Sequence, residues 1–175
     1  MSMWQCCRSA VGVVAFVVPV TLTFMDNVGS VVGVKGVSMQ PVLNPDLMHK
    51  DYVWLNKWCA KDFQFQRGNI VTLRAPYDPR CTIIKRIVAI EGDTVCPNRR
   101  TEECIRIPAG HCWLEGDNVT MSKDSNSFGP VSVGLIEAKA TYIVWPPQRW
   151  RALNGYFNIP DRVVISGQLQ QSHSV

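Results

Sequence analysis

The 175-residue sequence has few of the residues on which the commonest protein sites depend. It has three histidines, and none of its seven cysteines lies in a CxxC pair or a Cys/His spacing typical of zinc. Its lysines and arginines are scattered and its net charge is only +4, so no basic block indicates nucleic-acid binding. No internal repeat is present, and a hydrophobic content of 46% excludes a disordered chain. These absences leave one folded domain without a zinc site or a nucleic-acid surface.

The cysteines allow two interpretations. Cys96 and Cys104 bracket residues 97–100, a polar loop that a disulfide could close. Free, partly buried thiols are the default expectation, because unpaired cysteine packs as a small apolar residue.

Residues 9–25 contain no charged side chain. As a helix they would extend about 26 Å, close to the roughly 30 Å of a bilayer core. Pro19 would kink such a helix, which membrane helices tolerate. We predict a retained transmembrane anchor over residues 9–28 after a short tail of residues 1–8. A buried core helix and a cleavable signal sequence are the alternatives.

After Val28 the pattern becomes that of β-strands. Helical periodicity is weak, and turn residues separate short apolar runs. The predicted strands cover residues 31–37, 51–56, 68–74, 82–91, 110–117 and 136–145. We predict a mainly β domain, a barrel or a folded sheet, over residues 29–147, followed by a C-terminal tail of residues 148–175.

Ser38 is the candidate nucleophile, and a serine hydroxyl needs a base. Histidine is the usual base, and a triad of Ser38, His111 and Asp117 is conceivable. His111 is better explained as a structural residue at a strand edge.

Lys85 is the stronger candidate for the base. A lysine acts as a base only when neutral, and burial favours the neutral form. Lys85 interrupts the apolar run of residues 83–90, which provides such a setting. The alternative is that its side chain points outward from an alternating strand and extends into solvent.

The surroundings of both residues support acyl-transfer chemistry. Gly36 allows close backbone approach, and the Ser38 N–H is placed to face a developing oxyanion. The loop over residues 116–126 offers hydroxyls, one of which could orient the lysine. In this loop Asp124 is expected to pair with Arg86.

Three stretches together resemble the type I signal peptidase family. Residues 36–41 match its nucleophile motif, residues 85–93 match its lysine motif, and residues 116–125 match its last motif. The resemblance implies a folded β-sheet catalytic domain that needs no cofactor or metal and cleaves presequences after small residues. It also implies a Ser38/Lys85 dyad oriented by Ser122, with supporting roles for Gly36, Met39, Arg86, Asp117 and Asp124.

Further details resemble the branch of this family found in the mitochondrial inner membrane. They are the lysine at position 85, the single predicted span and residues 124–131 and 145–150. That branch implies a single-pass protein of the inner membrane whose catalytic domain faces the intermembrane space. It further implies precursor proteins as substrates and a homologous catalytic subunit as partner. The alternative is a non-catalytic anchored subunit of such a complex.

Three positions depart from the family pattern. Gram-negative members have serine at the position of Gly36, many relatives have arginine at that of Asn126, and the family asparagine before the orienting serine is Met121 here. We therefore expect an oxyanion site that relies on the Ser38 N–H, and a smaller network around Asp124.

Overall fold

The N-terminal apolar run forms a helix. The computed structural model describes residues 3–46, 48–63, 65–97, 103–153 and 158–166. Helix α1 covers Met3–Asn27, contains Pro19, and ends two residues before the first strand. Within this described part, no helix combines the length and the apolar character that a membrane crossing requires. The anchor over residues 9–28 therefore stays a prediction.

Antiparallel strands dominate the rest of the chain, which is mainly β as predicted. The strands are β1 (Gly29–Gly33), β2 (Tyr52–Asn56), β3 (Ile70–Ala75), β4 (Asp78–Ile90), β5 (Thr94–Val95), β6 (Ile105–Arg106), β7 (His111–Glu115), β8 (Val131–Ser132), β9 (Ile136–Trp145), β10 (Arg151–Ala152) and β11 (Val163–Val164). The main sheet has eight strands in the order β1-β2-β9-β3-β4-β7-β8, with β10 paired to β9. A second sheet has the order β11-β5-β6.

The main sheet is open rather than a closed barrel. Strands β1 and β8 lie at the two ends of its path, and they do not pair with each other among the described residues. Short helices connect the strands: α2 (Trp58–Lys61), α3 (Ser125–Phe128) and 3₁₀ helices at Val133–Leu135 and Pro147–Arg149. Of the two predicted architectures, the structure shows the sheet.

Strand β1 is shorter than its sequence predicts. It ends at Gly33, whereas the predicted strand continued to residue 37. Gly36 has φ +86°, a left-handed conformation that turns the chain and that glycine adopts without steric cost. Ser38 therefore lies in a loop and not at the end of a strand. The last predicted strand, residues 136–145, coincides with β9.

One core cluster fastens that loop to the sheet. Met39 and Leu43 are almost fully buried and belong to the same cluster as Val53 and Ile143, which lie on β2 and β9. Burial of a Leu or Met side chain contributes about 1.5–3 kcal/mol relative to exposure. Two apolar side chains that follow Ser38 thus hold its loop against the sheet.

The described parts of the predicted C-terminal tail take part in both sheets. Strand β10 pairs with β9, and β11 pairs with β5. Residues 151–152 and 163–164 of the predicted tail therefore belong to the folded domain.

A disulfide joins Cys96 to Cys104, which corrects the default expectation of free thiols for this pair. The cause is strand register. Thr94 pairs with Arg106 and Val95 with Ile105, so the next positions of β5 and β6 face each other. Cys59, Cys81 and Cys112 are free, and burial raises the pKa of the Cys112 thiol to about 12.

Removal of this disulfide is expected to lower stability while activity is retained. Closing a loop of this length contributes about 2–3 kcal/mol by restricting the unfolded chain. A Cys96→Ser/Cys104→Ser variant should lose that amount in urea denaturation under non-reducing conditions. Cys81→Ser, at an exposed free thiol, is the matched control and should change stability by less than about 0.5 kcal/mol. Equal stabilities for both variants would contradict the prediction.

Candidate active site

The loop that follows β1 presents Ser38 beside the sheet. Its side chain is half-buried, and neighbouring Met39 is only 1% exposed. The Ser38 carbonyl accepts a hydrogen bond of 3.0 Å from the Asn118 N–H, which ties the loop to the segment after β7. The Ser38 N–H and hydroxyl donate to no acceptor among the described residues. Both groups are therefore available to a substrate.

Lys85 lies in β4, opposite Val71 of β3, and only 3% of its surface is exposed. Its Nζ donates a hydrogen bond of 3.0 Å to Ser122 Oγ. Burial lowers the pKa of the Lys85 amine, while the negative charges of Asp124 and Asp117 oppose that change. The predicted inward orientation of Lys85 is thus what the structure has, and the alternative of an outward lysine is wrong.

Ser122 reaches this amine because Gly116 has no side chain. A Cβ at Gly116 would lie 2.3 Å from Ser122 Oγ and 2.4 Å from the Ser38 carbonyl oxygen. Both distances are far below van der Waals contact, so any side chain here would separate the two loops. Gly116 is therefore the point at which the segments of Ser38 and Ser122 converge.

Asp124 supports the same loop through backbone groups. Its Oδ2 accepts from the Gly116 N–H at 3.1 Å, and its Oδ1 accepts from the backbone and side-chain N–H groups of Asn126. As the N-cap of α3 it joins this helix to the end of β7.

The predicted pair of Asp124 with Arg86 is wrong, because Asp117 takes that place. The Arg86 guanidinium donates two hydrogen bonds of 2.7 Å to the Asp117 carboxylate. A third, of 2.8 Å, goes to the Gly68 carbonyl. A planar guanidinium matches a carboxylate in this two-bond geometry, and Asp117 lies where the chain leaves β7 beside β4.

A cavity of about 330 Å³ contains both Ser38 and Lys85. Most of its other walls are apolar. They come from residues 32–35, Val53, Leu55, Thr72 and residues 82–84. No hydrogen bond joins Ser38 to Lys85 within the described residues, but the two residues line the same cavity.

The alternative triad does not form. Asp117 is engaged by Arg86, and His111 begins β7, six residues and about 20 Å of extended chain away. The His111 Nδ1 lies 2.9 Å from the Ala109 carbonyl oxygen. His49 is exposed and adjoins Asp46. The remaining histidine, His173, lies outside the described residues.

Of the predicted site residues, Ser38 and Lys85 line one cavity, and Ser122 accepts a hydrogen bond from Lys85. Their catalytic roles stay a prediction. Sequence reasoning missed Asn44, Asp51 and Arg149, which surround the Ser38 loop. Asp51 is wholly buried and forms an ion pair of 2.9 Å with Arg149. A buried acid cannot be distinguished from a surface acid by its sequence neighbours alone, and Arg149 is remote in the chain.

Comparisons with known proteins identify relatives over most of the chain. The chain matches the family described as signal peptidase, peptidase S26, over residues 4–101 and 98–145. Mitochondrial inner membrane protease subunit 2 of Mus musculus is 50% identical over 137 residues, 78% of each chain. Subunit 1 of Homo sapiens is 37% identical over 124 residues, 69% of this chain and 72% of that one. The structure of signal peptidase I from Enterococcus faecalis gives a TM-score of 0.37 at 20% identity, covering 45% of this chain and 97% of that one. The resemblance predicted from the sequence is confirmed, including its mitochondrial branch.

Proposed function

Because the chain belongs to the signal peptidase family, peptidase S26, and is a serine signal peptidase of the mitochondrial inner membrane type, we propose that Ser38 is its nucleophile and Lys85 its general base. One observation supports this above all others. The Lys85 amine is buried, is hydrogen-bonded to the Ser122 hydroxyl, and lines the cavity that Ser38 also lines.

The chemistry follows from the environment of the amine. Burial favours neutral Lys85, which takes the proton of the Ser38 hydroxyl as Oγ attacks the scissile carbonyl carbon. Lys85 then returns that proton to the departing amine as the C–N bond breaks, leaving an acyl ester on Ser38. A water deprotonated by Lys85 then attacks the ester carbonyl carbon. As the acyl–Oγ bond breaks, Lys85 gives this proton to Ser38 Oγ, which restores the serine. Ser122 orients the amine, since its hydroxyl accepts a hydrogen bond from Nζ.

The oxyanion is assigned to the Ser38 N–H. This donor has no competing acceptor among the described residues, and preorganised backbone donors stabilise developing negative charge. Gly36 presents no side chain here, so no hydroxyl from that position contributes.

The substrate is proposed to bind as an added strand across the cavity. Residues 82–84 of β4 pair with β3 on one side, and the register with β7 begins only at Arg86. Strand β1 likewise pairs only with β2 among the described strands. An extended peptide can hydrogen-bond to such free edges, and small side chains before the cleaved bond suit the apolar walls. The substrates proposed are precursor proteins whose sorting presequences are removed on delivery to the intermembrane space.

The proposed arrangement has a tail at residues 1–8, an anchor at 9–28, a catalytic domain at 29–147 and a C-terminal segment at 148–175. Large apolar side chains between residues 13 and 22 of α1 are exposed and need an apolar cover. They include Val13, Val14, Phe16, Val17, Val18, Val20 and Leu22. We therefore propose that the anchor over residues 9–28, most of which lies in α1, crosses the lipid bilayer once. The disulfide supports a catalytic domain that lies outside reducing compartments such as the cytosol.

The partner proposed is a homologous subunit 1. Subunit 1 of Homo sapiens is 37% identical to this chain, so two related folds would meet in the complex. Each subunit would then contribute a cavity of its own.

The pH dependence of peptide cleavage tests the assignment of the base. If neutral Lys85 is required, kcat/KM should rise about tenfold per pH unit and level off at a pKa below the ordinary 10.5 of lysine. His111→Ala should leave this profile unchanged. A wild-type profile that levels off near 6.5, together with an inactive His111→Ala variant, would instead assign the base to histidine.

A further inference from the structure

A buried polar network holds the loop that carries Ser38. Asn44 is its centre: its side-chain Nδ2 donates to the Val34 carbonyl at 3.0 Å and to the Gly36 carbonyl at 3.3 Å. Its own N–H donates to Asp51 Oδ2, and its Oδ1 accepts from the Asp51 N–H, both at 2.8 Å. Asn44 has φ +52°, which asparagine tolerates better than most residues. The segment before Ser38 is thereby joined to Asp51.

Arg149 completes this network from the far end of the chain. Its Nη1 lies 2.9 Å from Asp51 Oδ2, and its Nη2 donates to the Val42 carbonyl at 2.9 Å. Asp51 is wholly buried, and its Oδ1 has no hydrogen-bond partner among the described residues. The Arg149 guanidinium therefore balances the negative charge of the Asp51 carboxylate. Arg149 lies 107 positions after Val42 in the chain.

We infer that Asn44, Asp51 and Arg149 are positioning residues that fix the Ser38 loop for catalysis, an inference that rests on Ser38 being the nucleophile. Asn44 holds the backbone before the serine, and Arg149 holds the backbone after it. Without Arg149, the buried Asp51 carboxylate would lack its cation, and the loop would have to shift to bring it water. A displacement of about 1 Å at a reacting atom can lower a rate by about 10²-fold.

Arg151 provides a matched control. It donates to the same Val42 carbonyl, at 2.8 Å, but it is exposed and forms no ion pair with Asp51 in the described part of the chain. Replacing either arginine removes one hydrogen bond to the Val42 carbonyl. Replacing Arg149 also removes the ion-pair partner of the buried Asp51 carboxylate.

The test compares Arg149→Gln with Arg151→Gln in the full-length chain in detergent. With a fluorogenic presequence peptide, Arg149→Gln should lower kcat by about 10- to 100-fold and change KM by less than about threefold. Arg151→Gln should stay within about threefold of the wild type. Circular dichroism checks that each variant is folded. This check is needed because a residue that only stabilised the fold would leave the kcat of the folded enzyme unchanged.

Amide hydrogen exchange gives a second readout that does not depend on activity. The N–H groups of Leu43 and Asn44 donate within the loop, to Met39 and Asp51. Arg149→Gln should accelerate their exchange by about tenfold or more, and Arg151→Gln should not. If Arg149→Gln does not fold, Arg149→Lys is compared instead. Its single amine cannot hold both acceptors as the guanidinium fork does, so kcat should still fall more than about threefold.

Wild-type kcat and exchange in a folded Arg149 variant would overturn the inference, as would equal losses in Arg151→Gln. Ser38→Ala separates this from the proposed function. If Ser38→Ala remains active, the nucleophile assignment fails whatever Arg149 does. If it is inactive and the Arg149 variant behaves as wild type, only the positioning network is rejected.

Discussion

Replacing Ser38 with alanine is expected to lower kcat by about 10⁶-fold, the effect of removing a serine nucleophile from a hydrolase. In the proposed mechanism the Ser38 hydroxyl forms the covalent bond to the acyl group, which alanine cannot form. The fold should be unaffected, because the Ser38 side chain makes no hydrogen bond with the described residues and is only half-buried. Cleavage of a presequence peptide and urea denaturation measure the two effects.

Ser122→Ala is the matched control, a serine-to-alanine change in the same site. It removes one hydrogen bond to the Lys85 amine and leaves nucleophile and base in place. Its loss should be about 10- to 100-fold, well below that of Ser38→Ala. If both variants lost activity equally, or if Ser38→Ala kept a tenth of wild-type activity, Ser38 would not be the nucleophile.

Replacing Lys85 with methionine is expected to abolish most activity and to stabilise the fold. Loss of the general base should lower kcat by about 10²- to 10⁴-fold, since methionine has no proton-accepting amine. Methionine fits a similar volume without an amine that must be desolvated, so the free energy of unfolding at pH 7 should rise by about 0.5–2 kcal/mol. The two opposite effects distinguish a catalytic lysine from one that only supports the structure.

The stability gain should depend on pH in a defined direction. Because the pKa of Lys85 is lower in the fold than its ordinary 10.5, the unfolded chain holds the proton more tightly. Wild-type stability therefore rises as the pH increases from the folded-state pKa towards 10.5. The advantage of Lys85→Met should be largest below this window and shrink within it. Urea denaturation of both proteins from pH 6 to 10 measures this, and a constant difference would contradict a buried titrating amine.

Lys85→Arg serves as the control for charge. A guanidinium cannot act as a base at these pH values, so the variant should be as inactive as Lys85→Met. It also places a permanent charge in the apolar cavity, so it should be less stable than the wild type. Activity in Lys85→Arg would mean that Lys85 is not the base.

Much of the candidate site could be predicted from the sequence, because its chemistry lies in short contiguous stretches. Ser38 with Gly36, and Lys85 within its apolar run, are each visible without the fold. The long apolar strand carrying Lys85 and the boundaries of β9 also follow from local pattern. Periodicity and turn residues act over a few positions, which is the range that sequence reasoning covers.

Partner choice among charged residues did not follow from the sequence. Arg86 could pair with Asp117 or Asp124, which are seven positions apart in one loop. The structure selects Asp117, since the register of β4 with β7 brings it beside the guanidinium. Likewise, the pairing of Cys96 with Cys104 depends on the register of β5 with β6.

The sequence by itself determined the nucleophile and base candidates, the family and the mainly β class, because these depend on residue type and local spacing. Only the tertiary structure decided that Gly116 lets Ser122 reach the lysine, and that Asp51 and Arg149 hold the Ser38 loop. The physical reason is that burial and long-range pairing arise when distant segments meet. A carboxylate or an amine has the same letter in the sequence whether it faces water or the core.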